Sequence, residues 1–485
     1  MRTSLDMTPD DICRLSATEL APQLSEGALS ARAVMDAVLA RIDRLQPSLN
    51  AYALVDGDGA RRAADEADAA RKHGAACGPL HGVPFSVKDL VQTEGLETAY
   101  GSHLMAGNIP ARDAAVVARL KAAGAILIGK TTTPEFAHTA LTESPRYGAT
   151  RNPWNPDYSC GGSSGGAAVA AATGMGPLTV TTDGAGSSRI PASCCGVLGL
   201  KATLGRIPNE QAVDLFGNFI FLGAITRTTA DLVAMLNVMS GPHPGDPWTR
   251  GQMPAPCSVP AEPLSTLRGL RVHFKPRLGN DLVDDGVLAA METVLDTLSH
   301  AGAIITRSDG REDWDNELVR VCIRAPLAAR MAHFSAADRE RMGPTMRAAI
   351  AESEALEPEA LRQIPLRRTA LYHQAEAVFA DADLLLTPCV SAPPPRIGHS
   401  ALDPITINGQ VAGSLRANWY NYPAPFNLTG HPAISIPAGV TPDGLQTGVQ
   451  AVAPWHGEQQ LIDLAAAMEQ IMPWGWPPMA AGAPS

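Results

Sequence analysis

The chain has 485 residues, 45 % apolar and 18 % charged, enough for one large α/β domain or about two or three smaller ones. A net charge of −11, with no lysine–arginine run anywhere, excludes a general nucleic-acid binder. No apolar stretch reaches the roughly 18 residues that a membrane span needs, and the eight cysteines form no C-x-x-C pair, which points to reduced thiols in a cytoplasmic protein rather than to disulfides or a metal site.

Met1 to Asp6 lacks the apolar core of a signal peptide. Thr8-Pro9-Asp10-Asp11 and Ser16-Ala17-Thr18-Glu19 are helix starts, the second a capping box. Apolar residues at helical spacing (Val34, Val38, Leu39, Ile42, Leu45) predict a helix over 31–45, followed by a strand over 51–55 and a helix over 59–72. The Gly-Pro pairs of 78–84 set a rigid turn, after which Phe85-Ser86-Val87 start a strand that carries Lys88 inward. A lysine flanked by Val87 and Leu90 is either a surface side chain with a snorkelling stem or a buried amine that must be paired or neutral.

A helix over 114–123 and a buried strand over 125–128 come next. Gly124 to Thr131 matches the phosphate-loop pattern G-x-x-x-x-G-K-[ST], but its middle is strand material and Thr132-Thr133-Pro134 stops a helix from following. The match is therefore taken as chance. The stretch from Tyr158 to Thr203 organises the chain. Two glycine–serine turns, 161–166 and 183–188, flank a small-residue helix over 167–173 and a strand over 177–181. Unhindered N–H groups in such turns can converge on an anion, or the turns are two ordinary surface loops. Gly162 to Gly166 also fits the G-x-S-x-G elbow with Ser164 at its centre. That elbow needs a strand before it, and Asn152-Pro153-Trp154-Asn155-Pro156 cannot be one.

The apolar run 212–222 reads as a core strand or as the wall of a pocket. A helix over 231–240 leads into a Pro/Gly-rich run ending at Pro263, the best place for a boundary or a long surface connection. Strands over 270–274 and 304–307 bracket a helix over 283–301. Residues 317–372 are charged and helical, in the manner of a cap or insertion over the core. Strands over 384–388, 433–437 and 445–452, a helix over 458–471 and a tail expected to be poorly ordered complete the chain.

Several of these pieces occur together and in order: Gly82 to Asp89 (GVPFSVKD), Gly129 to Ala137 (GKTTTPEFA), Asn152 to Pro156, Gly161 to Gly166 (GGSSGG), Asp183 to Pro191 (DGAGSSRIP), Gly223 to Thr228 and Phe426 to Ile434 (FNLTGHPAI). In this order they resemble the amidase signature family, over most of the chain. The resemblance implies an α/β fold in one large domain, 1–485, with a mixed central β-sheet flanked by helices on both faces. Its signature core would span about 78–240, a helical insertion or cap about 311–380, the C-terminal part of the core about 381–472 and a flexible tail 473–485.

The resemblance also implies roles. Ser187 would be the nucleophile, Ser163 a relay preceded by a cis peptide bond, and Lys88 the base. Backbone N–H groups of Gly184, Ala185, Gly186 and Ser187 would hold the oxyanion, with Ser164 and Thr182 in support. Asp183 and Arg189 form a buried pair that fixes the second turn, or else are solvated, unrelated charges. Ala137, Leu215, Phe216, Phe219 and Phe221 are the candidate substrate pocket. The chemistry is coherent: a serine hydroxyl needs an adjacent base, and a lysine can serve only if burial lowers its pKa from about 10.4 towards 7–8. Histidine, metal and cofactor are not required, and His81 and His431 read as structural. Ala185, Thr181, Thr132 and Ser188 depart from the family's usual residues without removing a catalytic side chain.

The expected activity is hydrolysis of carboxylic amides through an acyl-enzyme. The run 215–222 favours a hydrophobic acyl or aryl amide over a charged one, with esters and carbamates (urethanes) as further small-molecule substrates. A homodimer is a possible assembly of such a hydrolase. The alternatives are a glutamine-hydrolysing subunit that feeds ammonia to a partner, and an inactive binding protein on the same fold.

Overall fold

The computed structural model describes residues 7–251, 253–312 and 314–480; the reading of Met1 to Asp6 lies outside them. In chain order the strands are β1 (Tyr52–Val55), β2 (Pro84–Lys88), β3 (Ile126–Thr131), β4 (Glu143–Ser144), β5 (Gly148–Ala149), β6 (Leu178–Asp183), β7 (Leu198–Lys201) and β8 (Phe221–Thr226). They continue with β9 (Arg271–Phe274), β10 (Ile304–Arg307), β11 (Leu384–Pro388), β12 (Pro404–Ile407), β13 (Gln410–Ser414), β14 (Ala433–Val440) and β15 (Gln446–Val452).

Eleven of these strands form one mixed sheet, in the order β1-β3-β2-β6-β8-β7-β14-β15-β11-β9-β10, while β4–β5 and β12–β13 are separate hairpins. β2 runs parallel to β3 and β6, and β9 runs parallel to β10 and β11. The contacts through β8, β7, β14 and β15 are antiparallel. β14, late in the chain, pairs with β7 from its first half. That interleaving makes one domain, and residues 241–251 and 253–263 belong to a surface connection rather than to a boundary. Arg206 and Asn237 tie this connection down by donating to the carbonyls of Ala255 and Cys257.

Every residue of β2, β6, β8 and β15 is buried. Side chains alternate between the faces of a strand, so both faces of the sheet centre are covered by the flanking helices. The helix Gly165–Thr173 shows why small residues were needed: all nine are buried. A Cβ on Gly166 would come within 2.3 Å of the Ala51 carbonyl oxygen and 2.5 Å of the Thr132 nitrogen.

The helix starts hold. Ser16 and Glu19 close a reciprocal capping box, and so do Thr8 and Asp11. The rejected phosphate loop is sheet, since Gly129, Lys130 and Thr131 belong to β3. The run 212–222 divides, its last two residues entering β8 and the rest forming a loop. The described residues of 311–380 make four helices, Asn316–Met331, Ala336–Glu340, Pro344–Glu354 and Pro358–Val378.

The tail departs from expectation. Trp474 Nε1 donates to the Arg227 carbonyl (2.9 Å), the Arg227 guanidinium lies over the Trp476 ring (3.8 Å), and Ala480 is buried. Aromatic side chains dock what its proline and glycine content marked as loose; the expectation for 481–485 lies outside the described residues. No helix among the described residues is long and apolar enough to cross a membrane. Because backbone atoms cannot give way to a methyl group, Gly166→Ala should destabilise the fold by about 1–3 kcal/mol, measurable as a lower urea midpoint.

Candidate active site

Parallel pairing of β2 with β6 (Phe85 opposite Leu178, Val87 opposite Val180) brings the carboxyl ends of both strands to one edge. In open α/β sheets that edge is where ligands bind. Lys88 ends β2 and Thr182 is the last residue but one of β6, so both reach this edge. The Lys88 side chain is fully buried. Its Nζ lies 2.7 Å from Ser163 Oγ, 2.9 Å from Ser164 Oγ and 2.9 Å from Thr182 Oγ1. The Ser164 hydroxyl in turn donates to the Thr182 carbonyl (3.1 Å).

Burial pushes the Lys88 pKa down to about 7, against the opposing pull of the Asp183 carboxylate. Of the two readings open to this lysine, the snorkelling surface side chain is therefore excluded. The peptide bond between Gly162 and Ser163 is cis. Thr142 Oγ1 clasps the first turn by donating to the Gly161 carbonyl and accepting from Gly165 N–H.

The second turn is held by charge. Asp183 and Arg189 are both fully buried, 2.9 Å apart. Arg189 gives Nε and Nη2 to the two carboxylate oxygens, Nη2 also to Asn427 Oδ1, and Nη1 to the Pro423 carbonyl and Gln450 Oε1. Asn427 Nδ2 closes the network on the Asp183 carbonyl and carboxylate. Burial would raise the Asp183 carboxyl, but the Arg189 charge and hydrogen bonds outweigh it and hold it well below the usual carboxylate range. Gly186 sits at φ +102°, and a Cβ there would come within 2.6 Å of Pro423. Ser164 N–H donates to the Ser187 carbonyl (3.1 Å), locking the two turns together.

One of the four expected oxyanion donors is already committed. Gly186 N–H donates to Asp183 Oδ1 (2.7 Å). The N–H groups of Gly184, Ala185 and Ser187 carry no protein acceptor among the described residues.

Ser163, Thr182, Gly184, Ala185 and Ser187 face one cavity, walled by Phe136, Ala137, Phe219, Ile220, Ile323 and Leu327. Of the predicted pocket residues, Ala137 and Phe219 line it and the other three do not. Phe216 is 78 % exposed on the loop. Leu215 is half-buried outside the cavity, its carbonyl accepting from Trp248 Nε1. Phe221 is buried in β8 with the Lys201 amine 3.9 Å from its ring centre. An unbroken apolar run does not reveal which residues a loop turns outward, and that is where the expectation failed.

His138 also lines the cavity. Its Nδ1 meets the Glu135 carbonyl (2.6 Å), its Nε2 meets Thr345 Oγ1 (2.9 Å), and burial lowers its pKa to about 4. Both ring nitrogens are engaged, so it is not poised as a base. Lys130, the other lysine of the early motifs, sits elsewhere and gives its amine to Val91, Thr93 and Thr98.

Sequence reasoning missed Asn427, Gln450 and three cavity arginines, Arg324, Arg330 and Arg416. Asn427 lay inside a motif already singled out, Phe426 to Ile434, so a signal existed. The others carried none.

A family model for amidases matches residues 33–462. An acylamidase of Rhodococcus erythropolis is 34 % identical over 96 % of this chain and 98 % of its own length. A glutamyl-tRNA(Gln) amidotransferase component of Chloroflexus aurantiacus is 32 % identical over the same shares. Among solved structures, a bacterial aryl acylamidase of the amidase signature family superposes with a TM-score of 0.87 at 26 % identity, over 97 % of this chain and 99 % of that one. The chain belongs to the amidase signature family. It is an amide-hydrolysing enzyme.

Removing Arg189 would leave Asp183 as an uncompensated buried charge. Arg189→Met should therefore cost about 3–5 kcal/mol of stability, seen as a large fall in the denaturant midpoint. A loss within about 0.5 kcal/mol, the usual range for a surface substitution, would show that the network does not hold the turn.

Proposed function

We propose that the protein is a serine amidohydrolase that cleaves the C–N bond of amides with an apolar acyl or aryl group, through an acyl-enzyme on Ser187. The observation that carries this reading is the Lys88 amine, fully buried, in contact with three hydroxyls and with a pKa of about 7. A neutral amine has two hydrogens and one lone pair. The Ser164 hydroxyl already donates its hydrogen bond to the Thr182 carbonyl, so its oxygen accepts one N–H, and Thr182 Oγ1 accepts the other. The lone pair then faces Ser163. That is the arrangement a base needs in order to take a proton from Ser163 Oγ as Ser163 takes one from Ser187 Oγ.

The Ser187 oxygen attacks the amide carbon, and the carbonyl oxygen becomes an anion within reach of the N–H groups of Gly184, Ala185 and Ser187. The proton returns by the same route to the leaving nitrogen, the C–N bond breaks, and water hydrolyses the acyl ester. Apolar walls from Phe136, Phe219, Ile220, Ile323 and Leu327 favour a hydrophobic group beside the scissile bond. The acylamidase relative and the aryl acylamidase structure support the same class. Esters and carbamates present the same trigonal carbonyl and should also react. The amidotransferase relatives make glutamine hydrolysis the second reading.

Incubation with a fluorophosphonate should modify Ser187, found by mass spectrometry. Ser187→Ala should abolish the adduct, and Lys88→Ala should lower kcat/KM by about 10²–10⁴-fold. An adduct at Ser164 or none at all would defeat the proposal, and glutaminase activity exceeding anilide hydrolysis would favour the second reading. The base must be uncharged to act. The kcat/KM of the free enzyme should therefore rise with pH through an apparent pKa near 7 and fall away below it.

A further inference from the structure

The apolar walls of the cavity are interrupted by three arginines, Arg324 and Arg330 from the helix Asn316–Met331 and Arg416 from the short helix Leu415–Asn418. Among the described residues, no aspartate or glutamate lines the cavity. His138 adds no charge, since it is held neutral. Arg324 gives Nε to Glu352 (2.7 Å), but Glu352 is shared with Arg320, and Arg324 Nη1 is buried with no acceptor among the described residues. Arg416 donates once, to the His138 carbonyl at 3.3 Å, and its guanidinium lies 5.4 Å from the centre of the Tyr420 ring. No described residue accepts a hydrogen bond from the half-buried Arg330 guanidinium.

Glu317 and Glu352 balance Arg320 and Arg324. Among the described residues, neither Arg330 nor Arg416 is in a salt bridge, and the carboxylate that acts on Arg416, Glu352, is already bound by Arg320 and Arg324. Burial lowers the pKa of Arg416 and the charges of Arg324 and Arg320 add to this, while Tyr420 and Glu352 oppose it. Burying cations without partners is costly. A guanidinium fork with open N–H groups matches a carboxylate, which it can hold by two parallel bonds.

We infer that the substrate is an amide with an apolar body and a carboxylate away from the scissile bond, and that Arg324, Arg330 and Arg416 bind that carboxylate. The inference rests on the amidohydrolase reading and narrows its substrate class. The carboxylate can belong to the acyl part or to the leaving amine, and the two arms of the test separate these sources.

Binding is measured by titration calorimetry in Ser187→Ala, where no turnover intervenes. One arm compares adipamate, which has an amide at one end and a carboxylate at the other, with hexanamide. The second compares 4-acetamidobenzoate with acetanilide. A charge-assisted hydrogen bond should make the carboxylate member of at least one pair bind about tenfold tighter or more. Adding Arg416→Gln or Arg324→Gln should bring that ratio down to within about threefold of unity. Arg330→Gln gives up no bond to the protein, so its fold should survive even where the other variants do not, and it should lower the ratio as well.

Equal binding within both pairs, no binding of either, or a preference that survives all three substitutions would overturn the inference. Hydrolysis of neutral anilides with an adduct on Ser187, but without carboxylate preference, fails this inference and leaves the amidohydrolase reading standing. A carboxylate preference in binding without adduct or hydrolysis does the reverse.

Discussion

A lysine side chain shut inside the sheet edge is the constraint to which the surrounding structure answers. Lys88 has no carboxylate among its hydrogen-bond partners, only three hydroxyls, so its amine can stay buried only by giving up much of its affinity for a proton. Asp183 works against this, since its negative charge stabilises the protonated amine. Arg189 commits its guanidinium to that carboxylate, and two buried amides, Asn427 and Gln450, together with the Pro423 carbonyl take up the remaining donors. With Asp183 neutralised by its own partner, burial prevails at Lys88. The ion pair thus has two effects, fixing the second turn and leaving the amine near neutrality.

The fold was legible where a residue's role is local. The helix start at Thr8, the capping box at Ser16, the small-residue helix expected over 167–173 and the strand that ends at Lys88 follow from short-range chemistry that any window of the chain displays. Lys88, Ser163 and Ser187 became candidates only through several ordered motifs taken together, because each alone reads as a snorkelling lysine or a turn serine. What failed depends on which way a loop faces. Phe216 and Phe219 are three residues apart in one apolar run, yet one is open to solvent and the other lines the cavity. Composition cannot separate them, because the choice is made by strand β8 starting at Phe221 and by distant elements packing against the loop. The commitment of Gly186 N–H to Asp183 is similarly invisible. A glycine turn advertises free donors, and only the coordinates show which one is consumed in stabilising the turn itself.

The division between framework and cavity wall follows the same line. Residues that the proposed chemistry uses sit at strand ends and in two turns, where register and buried hydrogen bonds leave little freedom. Much of the wall opposite comes from the helix Asn316–Met331, whose outer face carries the exposed pair Glu317–Arg320, of a kind that adds little stability. The rest of that helix is divided, with Leu318, Val319 and Cys322 packed into the core while Ile323, Arg324 and Arg330 line the cavity. Arg330 on this helix and Arg416 on Leu415–Asn418 form no salt bridge among the described residues, while Glu317 and Glu352 are paired with Arg320 and Arg324, so no ion pair of the fold accounts for these two cations. An uncompensated charge in a partly dry wall is unfavourable to the empty protein, and it is best accounted for by what the cavity holds when filled. The amine at position 88 and the guanidinium groups across from it are then two outcomes of one principle. Burial makes the lysine shed its proton, whereas arginine, whose pKa lies too far above neutrality to follow, must instead find an anion.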